Sequence, residues 1–90
     1  MAQRTVVVGS RVGLHARPAA LFVKSVAAQA VKITIRKGDG DPVDARSILR
    51  VLALGAMNGD TVVLEADGEG AEEALDAVAI VVAEDHDDPA

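Results

Sequence analysis

Residues 31–36 alternate apolar and polar side chains without a break. This is the period of a β-strand with one buried face and one face in water, so the chain needs a sheet that is open on one side. Residues 37–42 then form a turn-rich segment of Gly, Asp and Pro, and residues 43–45 can supply a short return strand. We expect these two strands to form a hairpin.

The rest of the chain divides into two further strands and three helices. Residues 4–8 and 61–66 are rich in Val and Thr or Leu and are bounded by turn residues, which is typical of strands. Residues 16–30 carry apolar side chains at helical spacing, at Ala19, Phe22, Val23, Val26 and Ala30. A short helix follows over residues 48–54, with Ser47 as its N-cap, and a last helix over residues 71–82. The predicted order is βαββαβα.

A chain of 90 residues has room for one domain with one core. Four strands and three helices of this length cannot cover both faces of a sheet. We therefore predict an α+β fold, a four-stranded antiparallel sheet with three helices on one face, over residues 1–83. Residues 84–90 are an acidic tail, expected to be disordered, in which His86 is expected to be solvated.

Composition excludes several classes of function. The net charge of −5, with only nine Lys and Arg residues, argues against nucleic acid as a partner. There is no cysteine, and Asp39, Asp41 and Asp44 lack the bidentate Glu of a calcium loop, so no metal site is expected. No apolar run resembles a signal peptide or a membrane span, and we expect a cytoplasmic protein without direct membrane insertion.

Two residues depart from the usual rules at the start of the first helix. Pro18 fits the first helical turn, which places His15 at or beside the N-cap, where Ser, Thr, Asp or Asn is usual. Arg17 adds positive charge where the helix dipole is already positive. Both departures are explained if an anion binds there, because the N–H groups of Ala16 and Arg17 and the guanidinium would form a phosphate cradle.

His15 is the predicted nucleophile of this segment, which has neither a cysteine nor a serine with a neighbouring base. We expect a neutral imidazole, because the helix N-terminus and Arg17 both disfavour the imidazolium. A lone histidine beside an apolar stretch is more often a surface or structural residue. These features do not separate a phosphorylated histidine from an anion-binding module without covalent chemistry.

The segment Gly13-Leu14-His15-Ala16-Arg17-Pro18-Ala19 resembles the active-site signature of HPr, the phosphocarrier family of the bacterial phosphoenolpyruvate-dependent sugar phosphotransferase system. Ser47, Leu54-Gly55 and the element order support the resemblance, which covers residues 1–83. The resemblance implies an open-faced β-sandwich and a phosphocarrier that is not an enzyme and needs no cofactor.

The resemblance also implies a reaction and its partners. His15 would accept a phosphoryl group on Nδ1 from phosphorylated enzyme I and donate it to enzyme II A domains, while Arg17 balances the phosphoryl oxygens. We expect a monomer. A paralogue that serves a regulatory phosphorelay would share the same segment and remains an alternative.

Ser47 matches a serine that a dedicated kinase phosphorylates in many low-GC Gram-positive members of the family. The alternative interpretation is a plain helix N-cap. Arg46 and Arg50 would favour a phosphate there, but regulated members often have Gly where this chain has Arg50.

The second helix is apolar nearly all round, although a helix on one side of a small sheet buries only one stripe. We expect Ile48, Val51 and Leu54 to share the buried side and Leu49 and Leu52 to be exposed. An exposed apolar patch beside a reactive group is a plausible docking site, and in the family this surface binds enzyme I and the enzyme II A domains. The predicted docking residues are Ala20, Leu21, Ile48, Leu49 and Leu52. A more deeply buried helix is the alternative.

Overall fold

The computed structural model describes residues 2–84. Its elements confirm the predicted order βαββαβα. They are β1 (Ala2–Val7), α1 (Ala16–Ala27), β2 (Ile33–Lys37), β3 (Val43–Asp44), α2 (Ile48–Ala53), β4 (Thr61–Ala66) and α3 (Ala71–Ala83).

The strands form one antiparallel sheet in the order β1-β4-β2-β3. The central strand β4 pairs along its whole length with β1, from Ala2 opposite Ala66 to Val7 opposite Thr61. On its other side β4 pairs with β2, and β2 forms the predicted hairpin with β3. The connections place α1 and α3 against each other on one side of the sheet, with α2 packed beside α1.

The core lies between the sheet and the helices. Phe22 of α1, the only aromatic residue, is fully buried, and burying a side chain of this size contributes roughly 1.5–3 kcal/mol. The other large, fully buried side chains are Ile33, Ile35, Leu64, Leu75, Val8, Val26, Val51, Val62, Val78, Val82 and Pro18. The opposite face of the sheet is mainly polar, and there Arg36 pairs with Glu65 at 3.5 Å. The alternation of residues 31–36 therefore reflects a strand with one buried face and one face in water, as predicted.

Several predicted boundaries were wrong. The strand β1 begins at Ala2 instead of residue 4 and ends at Val7 instead of residue 8, because residues 2–7 all pair with β4. The strand β2 covers Ile33–Lys37 instead of residues 31–36, because Ala66, the last residue of β4, pairs with Ile33. The return strand β3 has two residues instead of three.

The first helix ends three residues before the predicted residue 30. Ala28 is its C-cap, and its N–H bonds to the carbonyls of Lys24 and Ser25. The next N–H, from Gln29, donates to Val26 at 3.0 Å, a tight turn that ends the helix. The apolar pattern could not show this end, since neither Gly nor Pro marks it.

The predicted acidic tail lies outside the described residues except for Glu84, which is the C-cap of α3. His86 is also outside them. None of the helices within residues 2–84 combines the length and the apolar character needed to cross a bilayer.

Candidate functional site

His15 is the N-cap residue of α1. Its backbone is extended, with φ −145° and ψ 158°, and its side chain makes no capping hydrogen bond. The residue is exposed, and the first turn that follows contains no acidic residue. Since the first N–H groups of an α-helix have no acceptor within the helix, this end can bind an anion.

Ala16, directly after His15, has a left-handed backbone with φ 51°. It is the one residue other than glycine with a positive φ within residues 2–84. Such a conformation costs an alanine roughly 1–2 kcal/mol, and strained backbone of this kind concentrates at functional sites. The sequence gives no signal for it, because an alanine at the start of a helix is ordinary.

Arg17 is exposed in the first turn of α1. Within residues 2–84 its guanidinium makes no hydrogen bond or ion pair with another side chain. No acidic side chain within residues 2–84 therefore accounts for the basic Arg17 at this positive end of the helix. It is available to an anion that also meets the N–H groups of Ala16 and Arg17.

The segment before His15 is anchored on a second loop. Leu14 is buried, and its N–H donates to the carbonyl of Ala56 at 2.8 Å. Gly13 has φ 75°, and a Cβ added to it would lie 2.4 Å from the same carbonyl oxygen and 2.9 Å from Cα of Met57. A side chain cannot be accommodated at residue 13. We call residues 8–15 the His15 loop and residues 55–60 the platform loop.

The other end of the His15 loop rests on the same platform loop. The N–H of Val8 donates to the carbonyl of Asp60 at 2.9 Å, and the N–H of Gly59 donates to the carbonyl of Val8 at 3.0 Å. The side-chain amide of Asn58 donates to the carbonyl of Gly9 at 3.2 Å. Both ends of the His15 loop are thus held by the platform loop.

Asp60 and Lys37 fix the platform loop itself. The Asp60 carboxylate accepts the N–H of Met57 at 2.9 Å and lies 3.3 Å from Nζ of Lys37. The same Nζ donates to the carbonyl of Gly55 at 3.3 Å. The hydrogen bond from Met57, and after it that from Lys37, lowers the pKa of Asp60. Sequence reasoning missed both residues, because residues 58–60 were interpreted only as a turn leading into β4.

Ser47 is the N-cap of α2, and its Oγ accepts the N–H of Arg50 at 3.3 Å. Arg46, expected to be available to a phosphate, donates from its guanidinium to the carbonyl of Gln29 at 3.2 Å and so ties the segment before α2 to the turn after α1. The cap interpretation of Ser47 therefore has a direct structural basis.

The exposure of α2 differs from the prediction. Val51 is fully buried and Leu49 is 77% exposed, as expected. Ile48, which we expected on the buried side, is exposed, and Leu54 is only half-buried. Leu52, which we expected to be exposed, is half-buried and packs against the core. α2 has only six residues and Val51 is its one buried side chain, so a helix this short leaves Ile48 exposed.

The first turns of α1 supply the other predicted docking residues. Ala20 is exposed and Leu21 is half-buried. The two helices pack against each other.

A family model described as "PTS HPr component phosphorylation site" matches residues 2–84 of the chain. This chain belongs to the HPr family. The phosphocarrier protein HPr of Streptomyces coelicolor is 55% identical over 84 residues, which cover 93% of this chain and 90% of the relative. The curated HPr relatives are named phosphocarrier proteins, and this HPr-family chain is a phosphocarrier of the phosphotransferase system and not a catalyst.

Solved structures of HPr proteins share the open-faced fold. HPr of Bacillus anthracis str. Ames matches with a TM-score of 0.84 and 41% identity over 90% of this chain and 95% of that chain. Crh of Bacillus subtilis matches with a TM-score of 0.69 and 39% identity over 91% of this chain and 93% of that chain. That Crh structure is described as a dimer with a swapped domain.

Proposed function

We propose that this chain accepts a phosphoryl group on His15 from phosphorylated enzyme I and donates it to enzyme II A domains, for the uptake and phosphorylation of sugars. The phosphoryl group derives from phosphoenolpyruvate. The observation that carries the proposal is the exposed His15 side chain, which makes no capping hydrogen bond at the N-terminus of α1, two residues before Arg17, whose exposed guanidinium has no side-chain partner within residues 2–84. Membership of the HPr family supports the same role.

The transfer needs only groups of this chain and the donor. A neutral imidazole nitrogen of His15, Nδ1 by resemblance to the family, attacks phosphorus, a P–N bond forms, and the bond from phosphorus to the donor breaks. The negative oxygens then meet the N–H groups of Ala16 and Arg17 and the guanidinium. The protein contributes placement and charge stabilisation, and the P–N bond retains the energy for the next transfer.

Partners would dock on the apolar surface formed by α1 and α2. Leu49 is the most exposed large apolar residue of the described chain, and Ile48 extends the exposed area. The docking surface comprises Ala20, Leu21, Ile48, Leu49 and Leu52. No acidic residue precedes Asp39 in the sequence, so the charged side chains that α1 contributes next to this surface, Arg17 and Lys24, are both basic. A partner with an apolar centre and an acidic rim would fit it.

The second half of the proposal is tested by following the label. The chain is phosphorylated with radiolabelled phosphoenolpyruvate and enzyme I, separated from the donor, and mixed with a purified enzyme II A domain. We expect the label to leave the chain and appear on the A domain. Label that stays on the chain, with an A domain known to accept phosphate from another HPr, would instead favour a regulatory phosphorelay.

Ser47 is our candidate for regulatory phosphorylation by a serine kinase. A phosphate on Oγ would replace the present cap to the N–H of Arg50 with a charged one, at a helix end where negative charge is favourable. The test is incubation with ATP and an HPr serine kinase, with the Ser47→Ala variant as the control. Absence of label on the unsubstituted chain would leave Ser47 as a plain N-cap.

We infer a monomer that acts in the cytoplasm, where its proposed partners would meet it. Arg4 of the edge strand β1 bonds Glu72 at 2.6 Å and Asp76 at 2.8 Å, both on α3 of the same chain. These contacts hold β1 against its own helix and oppose a swap of the strand between two copies. Size-exclusion chromatography with light scattering tests this, and a stable dimer would contradict it.

A further inference from the structure

The platform loop supports the two ends of the His15 loop. It does so through the backbone of that loop and does not touch a catalytic side chain. Ala56 accepts the N–H of Leu14, and Asp60 and Gly59 bond the backbone of Val8. The position of His15 therefore depends on the conformation of residues 55–60. What fixes that conformation determines how accurately the imidazole is presented.

The turn at residues 57–60 is closed from both sides. The N–H of Asp60 donates to the carbonyl of Met57 at 2.9 Å, and the Asp60 carboxylate accepts the N–H of Met57 at 2.9 Å. Gly59 supplies the left-handed residue of this turn, with φ 88°. The Asp60 side chain thus closes the turn at residues 57–60. Ala56, the residue just before this turn, accepts the N–H of Leu14.

Lys37 connects this turn to the sheet. Its Nζ lies at the end of β2 and contacts both the Asp60 carboxylate and the carbonyl of Gly55, each at 3.3 Å. Gly55 and Asp60 are the two ends of the platform loop, so one ammonium group holds both. Side-chain exposures of 43% for Lys37 and 35% for Asp60 leave the pair partly shielded from solvent.

We propose that Asp60, assisted by Lys37, is a positioning residue for phosphoryl transfer at His15. The carboxylate fixes the platform loop, the Ala56 carbonyl then fixes Leu14, and Leu14 places His15 at the start of α1. Because a misplacement of about 1 Å can cost a reaction about 100-fold, loosening this chain of contacts slows the transfer. The inference rests on the proposed function and names residues that touch neither the phosphoryl group nor the docking surface.

The test compares Asp60→Ala with Asp60→Asn. Asparagine keeps an oxygen that can accept the N–H of Met57 and loses the charge that pairs with Lys37, whereas alanine loses both. The matched control is Asp76→Ala, which removes an exposed carboxylate that bonds Arg4 of β1 and not the His15 loop. All variants are assayed at a temperature where circular dichroism shows them folded.

The measurement is the steady-state rate of phosphorylation by enzyme I and phosphoenolpyruvate as a function of carrier concentration. We expect kcat to fall about tenfold in Asp60→Ala with KM within about twofold, while Asp60→Asn retains most of the rate. The NMR signals of the Leu14 amide and the His15 ring should change their chemical shifts in Asp60→Ala and remain unchanged in Asp76→Ala.

Three outcomes are decisive. A kcat for Asp60→Ala equal to that of Asp76→Ala would overturn the inference. A raised KM with unchanged kcat would also overturn it, because it would place Asp60 in docking. If the unsubstituted chain itself takes up no phosphate, the proposed function fails first, and the NMR comparison still shows whether Asp60 positions His15.

Discussion

Gly13 packs directly against the carbonyl of Ala56, so that a Cβ on Gly13 would lie 2.4 Å from the carbonyl oxygen. That distance is far below any van der Waals contact, and the left-handed φ of 75° adds a second reason for glycine. This close approach is what permits Leu14 to reach Ala56 and His15 to begin α1.

We expect Gly13→Ala to destabilise the fold by more than the roughly 1–2 kcal/mol of a left-handed alanine, because the platform loop must also move. Chemical denaturation measures this. Gly68→Ala is the matched control, since Gly68 has φ 99° with open space around its Cβ position. Equal losses in the two variants would contradict the role of the close approach.

Ala16→Gly should be neutral or stabilising by up to about 1 kcal/mol. Glycine relieves the left-handed strain at φ 51°, and this gain offsets the entropy that glycine loses on folding. Ala20→Gly, at an exposed position in the interior of the same helix, should cost about 1 kcal/mol. Thermal unfolding of both variants checks the prediction, and an equal loss in both would show that Ala16 is not strained.

Leu49→Asp should fold normally and be phosphorylated poorly. The side chain is 77% exposed, so the charge costs little in the free protein but disfavours an apolar interface. We expect KM for the carrier to rise about tenfold in the enzyme I assay. Ile80→Asp on α3, where the side chain is 59% exposed, is the control. Unfolding of Leu49→Asp would show that Leu49 belongs to the core.

The stability of the protein should contain an acid-sensitive part that depends on Asp60. Folding lowers the pKa of Asp60 through the Met57 N–H and Lys37, so the folded state favours the carboxylate. This contribution is complete above the ordinary aspartate pKa of about 3.9 and is lost as the pH falls through the lower folded value.

Urea unfolding of the unsubstituted protein and of Asp60→Asn across the acid range measures this contribution. Their difference in free energy of unfolding should be constant near neutral pH and shrink below about pH 4. Asp39→Asn removes an exposed charge in the β2–β3 turn and is the control. A difference that grows on acidification would contradict the assignment.

The sequence was sufficient for the element order and for the sheet, because hydrophobic period and turn residues are local properties. The alternation of residues 31–36 predicted the open face, and Pro18 with its neighbours placed His15 at a helix start. The end of α1 was wrong because Ala28 and Gln29 close the helix through backbone bonds that have no residue signature.

The geometry around His15 could not be predicted for a different reason. The His15 loop is supported by backbone hydrogen bonds between segments more than 40 residues apart in the chain, from Leu14 to Ala56 and from Val8 to Asp60. The left-handed backbone of Ala16 has no signature in the residue type. Ile48 was placed on the wrong side because a helix of six residues has too few turns for its apolar pattern to define a face.

The most direct test of the account is intact-mass spectrometry of this protein after incubation with phosphoenolpyruvate, magnesium and a bacterial enzyme I, beside the His15→Ala variant. We predict one added phosphoryl group that is lost in acid and is absent from the variant. No added group, with an enzyme I shown to phosphorylate another HPr, would contradict the account and favour a site that only binds an anion. A group that persists in His15→Ala would place the phosphate on another residue.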